Sequence, residues 1–143
     1  MNDFSAKIDE FLKHEIDPAF KRRARIILEN LDLKGGESVL DFGCGRGFYL
    51  KTISRIFPKI ALTGVDINSE YLKKAQNYLE GLDVELVNAD VTKLPFPDLS
   101  FNRVIASEVL EHIRDDRKAL EEISRVLKPG GIAVFTSPAY MWL

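Results

Sequence analysis

Residues 39–50 read VLDFGCGRGFYL. An apolar run carrying one acid, Asp41, enters Gly43, Gly45 and Gly47, and apolar residues then resume. This is the pattern of a buried strand that turns sharply into a helix. Glycine permits backbone angles closed to other residues and lets the main chain come close to a ligand. A turn of this kind can aim N–H groups at whatever lies beyond the strand. The pattern alone also fits a plain structural turn.

Outward from this turn, short apolar runs alternate with helical periodicity. Strands are expected at 37–42, in KIALTGVDI (59–67), in DVELVNAD (83–90), in FNRVIASEV (101–109) and in IAVFTS (132–137). Helices are expected over 48–56, over 70–80 with Ser69 as cap and Gly81 as stop, and over 115–127, where LKPGG breaks the last. The PFPDLSF segment at 95–101, with two prolines, reads as a turn and connection before the fourth strand. Strands separated by helices of this length mean βαβ units and a mostly parallel sheet. Right-handed crossovers then place helices on both faces. Ligands belong beyond the carboxyl ends of such strands.

Ahead of this core, residues 1–34 form an N-terminal helical segment, and 35–143 the α/β core. Phe4, Ile8, Phe11, Leu12 and Ile16 recur at helical spacing. Asp17-Pro18 interrupts them, and Phe20, Ala24, Ile27, Leu28 and Leu31 mark a second buried helix face over 19–31. Lys21, Arg22, Arg23 and Arg25 crowd that helix. A solvated face is the ordinary reading, and a contact with an anion is the alternative.

Composition bounds the function. The chain has 143 residues, 45% hydrophobic and 29% charged, with a net charge of −2. One domain with a real core is the expectation. The charge balance argues against a nucleic-acid partner. No run approaches the roughly 18 apolar residues of a membrane span, and the N-terminus lacks the apolar stretch of a secretory leader. A cytoplasmic protein is expected. Cys44 is the single cysteine, so an intrachain disulfide and a multi-cysteine zinc site are excluded, and no metal site is expected. Within the turn, Cys44 reads as a small side chain that shapes it.

Two familiar phosphate loops fail to fit. The dinucleotide fingerprint G-x-G-x-x-G needs glycine where Phe48 stands, and no Gly-Lys-Ser/Thr follows for a P-loop. Two further acids close the second and third strands. Asp66, in TGVDIN, can accept hydrogen bonds from both hydroxyls of a ribose. Asp90, in VNADV, can accept one from the exocyclic amine of adenine, with the Val91 backbone beside it. Each acid alone also fits a cap or a turn. Acid-bearing sites at three successive strand ends, facing one crevice, make coincidence a poor account.

Together VLDFGCGRG (39–47), GVDIN (64–68), NAD (88–90) with Val91, SEVLEHI (107–113) and LKPGG (127–131) resemble the class I S-adenosylmethionine-dependent methyltransferases. The likeness runs over about residues 35 to 138. It implies S-adenosylmethionine as cofactor and a Rossmann-like three-layer sandwich with strand order 3-2-1-4-5. By the same resemblance, Gly43, Cys44, Gly45 and Gly47 wrap the methionine part, with Asp41 near its amino-acid end. Asp66 takes the ribose, Ile67 lies against adenine, Asp90 and Val91 hold the adenine edge, and Ser107 contacts the methionine end. Glu108 serves that end or the acceptor.

SEVLEHI is most similar to the branch acting on small molecules. The implied reaction is direct displacement of the methyl group by a small-molecule acceptor. His112 is the candidate general base, since histidine titrates near neutrality; a local packing role is the alternative, and Glu108 and Glu111 are the other candidates. The family's sheet usually has seven strands, and strands six and seven are not found here. A fragment of a longer methyltransferase, or a non-catalytic cofactor-binding module, is therefore also expected. An exposed fifth-strand edge or the apolar ending TSPAYMWL would favour pairing of two copies.

Overall fold

The computed structural model describes residues 3–138. Two helices lead, α1 (Asp3–Leu12) and α2 (Pro18–Asn30). The core follows as β1 (Ser38–Phe42), α3 (Phe48–Ile56), β2 (Ala61–Asp66), α4 (Ser69–Tyr78), β3 (Val84–Asn88), β4 (Phe101–Ser107), α5 (Asp116–Val126) and β5 (Leu127–Thr136). A short 3-10 turn, Leu110–His112, sits between β4 and α5. The five strands form one sheet in the order β3-β2-β1-β4-β5. Every pairing is parallel. The order is the one implied by the resemblance, and strands six and seven are absent from the described residues.

Side-chain alternation along the strands sorts the core into two clusters. Val39, Leu62 and Ile105 pack with Ile8, Leu12, Ala24, Ile27, Leu28, Leu50, Ile53, Ala75 and Leu79, so α1 to α4 cover one face. Leu40, Phe42, Val65, Val104 and Ala106 pack with Ala119, Ile123 and Val126 of α5 on the other. By that alternation Asp41 shares the face of Val39, under the N-terminal helices. The result is three layers, with β1 at the centre of the sheet.

Three local expectations are corrected. α1 ends at Leu12, and Ile16 is 92% exposed rather than buried. The helical spacing continues to Ile16, but Asp17 instead caps α2, accepting from the amides of Ala19 and Phe20 at 2.9 and 3.3 Å. The cap of α4 is Asn68, not Ser69: its backbone is extended, and its side chain accepts from Glu70 and Tyr71. LKPGG does not simply separate helix from strand, because β5 already begins at Leu127. Leu127 pairs with Phe101, yet Ile132 pairs with Arg103, so the intervening residues bulge out of register. Gly130, at φ +75°, supplies the bend.

Candidate cofactor site

The turn after β1 is locked to β2 by its own backbone. Gly43 and Cys44 both donate to the Val65 carbonyl, at 2.8 and 2.9 Å, and Gly47 donates to the Cys44 carbonyl at 2.9 Å. Gly43, Gly45 and Gly47 have φ of +77°, +53° and +86°. Their reasons for being glycine differ. A Cβ on Gly43 would lie 2.5 Å from Val109 Cγ2, and one on Gly47 would lie 2.8 Å from Leu79 Cδ1. A Cβ on Gly45 would meet nothing within 4 Å. The turn is thus pressed by Val109 on one side and by α4 on the other, with its middle open.

Asp66 fastens the open middle. Its Oδ2 accepts from the Gly45 amide at 2.8 Å, and its Oδ1 accepts from the Asn68 amide at 2.8 Å. Each oxygen keeps acceptor capacity after one bond. Ile67 beside it is 68% exposed, an apolar surface at the mouth of the crevice. Asp90 receives both the amide and the hydroxyl of Thr92 on Oδ1, each at 2.8 Å. These bonds hold its carboxyl below the usual range, and Oδ2 is left for another donor. Val91 is buried against the α5 face.

Asp41 differs from the other two acids. It is 2% exposed, and its Oδ2 is buried with no hydrogen-bond partner. Burial, then the neighbouring charge of Asp66, pushes its carboxyl up to about 7. A buried acceptor with no donor is the mark of a missing partner. Cys44, also buried, has its thiol pushed far up by burial and by both aspartates, which disfavours the thiolate. The expected shaping role fits: a Cβ on Gly64 would lie 2.8 Å from its sulfur.

At the end of β4, Ser107 joins two neighbours: its hydroxyl is 3.2 Å from the Tyr49 hydroxyl and 3.1 Å from Thr136 Oγ1. Glu108 follows in the left-handed region at φ +54°, tied by its amide to the Thr136 carbonyl at 2.9 Å. Its carboxylate lies 3.9 Å from Arg23 Nε of α2. His112 stands apart, with its side chain 78% exposed and 3.9 Å from Glu111. Glu111 is the better enclosed of that pair, with a buried, unpartnered Oε2.

Of the sequence-expected residues, Gly43, Cys44, Gly45, Gly47 and Asp66 therefore form one bonded unit with Val65, the unpartnered Asp41 lies in β1 just before the turn, and Asp90 lies just past the end of β3. Ser107 reaches Tyr49, and Glu108 reaches Arg23. The sequence raised Tyr49 only together with Phe48, as two aromatics either of which could close over the cofactor, and it raised Arg23 only within a cationic helix face. The other aromatic, Phe48, packs on Phe11 and Phe20 with ring centroids 5.9 and 4.8 Å away. No group of three or more potential metal ligands occurs among the described residues.

These features suit an adenosyl amino-acid cofactor: an orphaned buried acid, a glycine turn with an open centre, and acids with spare acceptor capacity. Comparison with known proteins agrees. A family profile described as a methyltransferase domain matches residues 40–135. A sterol 24-C-methyltransferase of Gibberella zeae is 39% identical over 131 residues, covering 89% of this chain and 33% of that enzyme. A ubiquinone/menaquinone biosynthesis C-methyltransferase of Hahella chejuensis is 37% identical over 112 residues, covering 75% of this chain and 45% of that enzyme. Among solved structures, a [4+2]-cyclase superposes with a TM-score of 0.77 and 32% identity, over 81% of this chain and 44% of its own. The chain thus spans between a third and a half of the length of these relatives. On the strand order, the turn and the profile together, the chain belongs to the class I S-adenosylmethionine-dependent methyltransferase family.

Proposed function

We propose that this chain binds S-adenosylmethionine across the ends of β1, β2 and β3 and serves methyl transfer to a small-molecule acceptor by direct displacement. The observation that carries the reading is the buried, unpartnered Asp41 Oδ2 beside the glycine turn. When bound, the cofactor supplies an electrophilic methyl group. The chain supplies position: Asp66 for the ribose, Ile67 against adenine, Asp90 and the Val91 backbone for the adenine edge, and the 43–47 turn for the methionine part. Orientation of this kind is worth on the order of 7–11 kcal/mol at best. Acceptor chemistry falls to the β4 end, where Glu108 and His112 are the proton acceptors proposed. Cytoplasmic residence and pairing of copies along the outer edge of β5 belong to the same reading.

Calorimetric titration with S-adenosylmethionine and S-adenosylhomocysteine tests it, with NADH as control. Saturable binding of the first two, weakened at least tenfold by Asp66→Ala, is expected. Preference for NADH by folded protein would overturn it. For the proton acceptor, His112→Ala should lower turnover while leaving S-adenosylhomocysteine affinity unchanged; equal turnover in an active enzyme removes His112 from the chemistry.

The likeness to the [4+2]-cyclase favours a second reading, a cofactor-binding module that transfers no methyl group. Tight cofactor binding with no methyl transfer to any acceptor offered to the whole protein would support it.

A further inference from the structure

Residues 42–65 carry four cations, Arg46, Lys51, Arg55 and Lys59, and no acid. The whole chain has 22 acids against 20 basic residues, so the net charge hides a local excess. The segment includes the glycine turn and α3. Phe48, Lys51 and Arg55 recur at i, i+3 and i+7 and share one face of α3. None of the three is fully buried, whereas Leu50 and Ile53 of the same helix are packed in the core.

Two hollows flank this stripe. One, of about 540 Å³, lies between α1 and α3 and is lined by Lys7, Glu10, Phe11, Lys51, Arg55 and Ile56. The other, of about 430 Å³, lies between α3 and α4 and is lined by Arg46, Phe48, Lys74 and Tyr78. Lys51 joins them, with its Nζ 3.8 Å from the centre of the Tyr78 ring. Glu10 is the one acid lining either hollow, and it is engaged by Lys13. Lys7 pairs with Asp3 at an exposed position. Lys51, Arg55 and Lys74 have no carboxylate partner among the described residues. The dipole at the end of α3 favours Arg55 in its last turn, but it does not account for Lys51 or Lys74.

The rings decide the class of ligand. Phe11 and Phe48 meet edge to face with centroids 5.9 Å apart, and Tyr78 carries Lys51. Each aromatic of the hollows already has a ring or a cation against it, unlike the row of open faces that stacks nucleic-acid bases. The larger hollow instead sets apolar Phe11 and Ile56 beside cations that lack anions. Its volume falls in the range of small-molecule sites, roughly 300–1,000 Å³.

We propose that the hollow between α1 and α3 binds a single-chain anionic amphiphile. Its phosphate or carboxylate head meets Lys51 and Arg55, with Lys7 completing the rim, and its chain lies along Phe11 and Ile56. Arg55 stands about 12 Å along α3 from Gly47, so this site is separate from the strand-end crevice and independent of the cofactor reading.

Calorimetry with dodecyl phosphate, kept below its micelle-forming concentration, tests the site. One equivalent should bind saturably. Octyl phosphate should bind at least about tenfold more weakly, and inorganic phosphate and dodecyltrimethylammonium not measurably. Lys51→Gln combined with Arg55→Gln should weaken dodecyl phosphate at least about tenfold with an unchanged circular-dichroism spectrum. Glu10→Gln should tighten it severalfold. The site is overturned if the double variant binds like the wild type, or if the cationic amphiphile or inorganic phosphate binds as well as dodecyl phosphate. Competition by S-adenosylhomocysteine also overturns it, since the amphiphile then occupies the cofactor crevice. So does binding to phosphatidylglycerol vesicles without binding to monomeric dodecyl phosphate, which makes the cations a membrane-facing patch instead.

Discussion

The two sides of the strand-end crevice are built differently. On the β1–β3 side, the turn, Asp66 and Asn68 bond to one another through main-chain amides. On the β4 side, Ser107 and Glu108 depend on contacts with Tyr49, Arg23 and Thr136, which come from three other elements. The first side is a rigid backbone cradle, and the second is a set of side chains whose partners can change. A shared cofactor needs the former, because its shape is constant. A variable acceptor is served by the latter.

The largest effect should come from jamming the cradle. Gly43→Ala combines a left-handed residue, about 1–2 kcal/mol, with a close approach to Val109, about 1–3 kcal/mol. Urea denaturation should register a loss of about 3 kcal/mol, with S-adenosylhomocysteine binding abolished. Gly45→Ala meets open space and should cost only about 1 kcal/mol. Equal losses at the two positions would break the picture of a turn pressed from its sides.

Asp41 gives the next effect, and it depends on pH. Its folded carboxyl lies near 7 against 3.8 for the unfolded group. The native state therefore holds a proton that the unfolded chain has released. Stability associated with Asp41 is complete below about pH 4 and is lost as pH rises through 7. Asp41→Asn should stabilise the ligand-free protein at pH 8 by on the order of a few kcal/mol, seen as a higher melting temperature, while weakening the cofactor. The two melting curves should converge below pH 4. A gap independent of pH would mean that Asp41 is ionised throughout, with a partner.

The smallest effect lies beneath the adenine side. Arg125 on α5 donates to the carbonyls of Phe96 and Leu94 at 2.8 and 3.2 Å and pairs with Glu122 and Asp98. It binds the proline-containing connection to the α5 layer. Its side chain is 30% exposed, so solvent screening leaves about 1 kcal/mol for Arg125→Met in denaturation. Hydrogen exchange should quicken at Leu94 and Ser100 without a change at Gly45. Faster exchange at Gly45 would couple the connection to the cradle.

The division between cradle and side-chain set also explains what could be read before folding. Asp66 and Asp90 were legible because each closes an apolar run, and Asp41 because it is the one acid within the run that enters the glycine turn. The helix over 48–56 was legible because the glycine turn sets its start. Asn68 was displaced by Ser69 in the reading because both residue types cap helices and only the extended backbone of Asn68 decides between them. Ile16 continued a periodic face that the fold never covers. In LKPGG, proline and glycine announced a break, but pairing with Phe101 drew Leu127 into the sheet first.

The sequence by itself determined a parallel α/β domain, its glycine turn, the acids at its strand ends and its family. These follow from signals within a few residues: period-two alternation, helical spacing, and the steric freedom of glycine. Only the tertiary structure decided that Asp41 lacks a partner while Asp66 has two, that His112 faces solvent while Glu111 is enclosed, and that Arg23, of four neighbouring cations, turns toward the site. Those distinctions depend on burial and on neighbours far away in the chain, which local pattern does not carry.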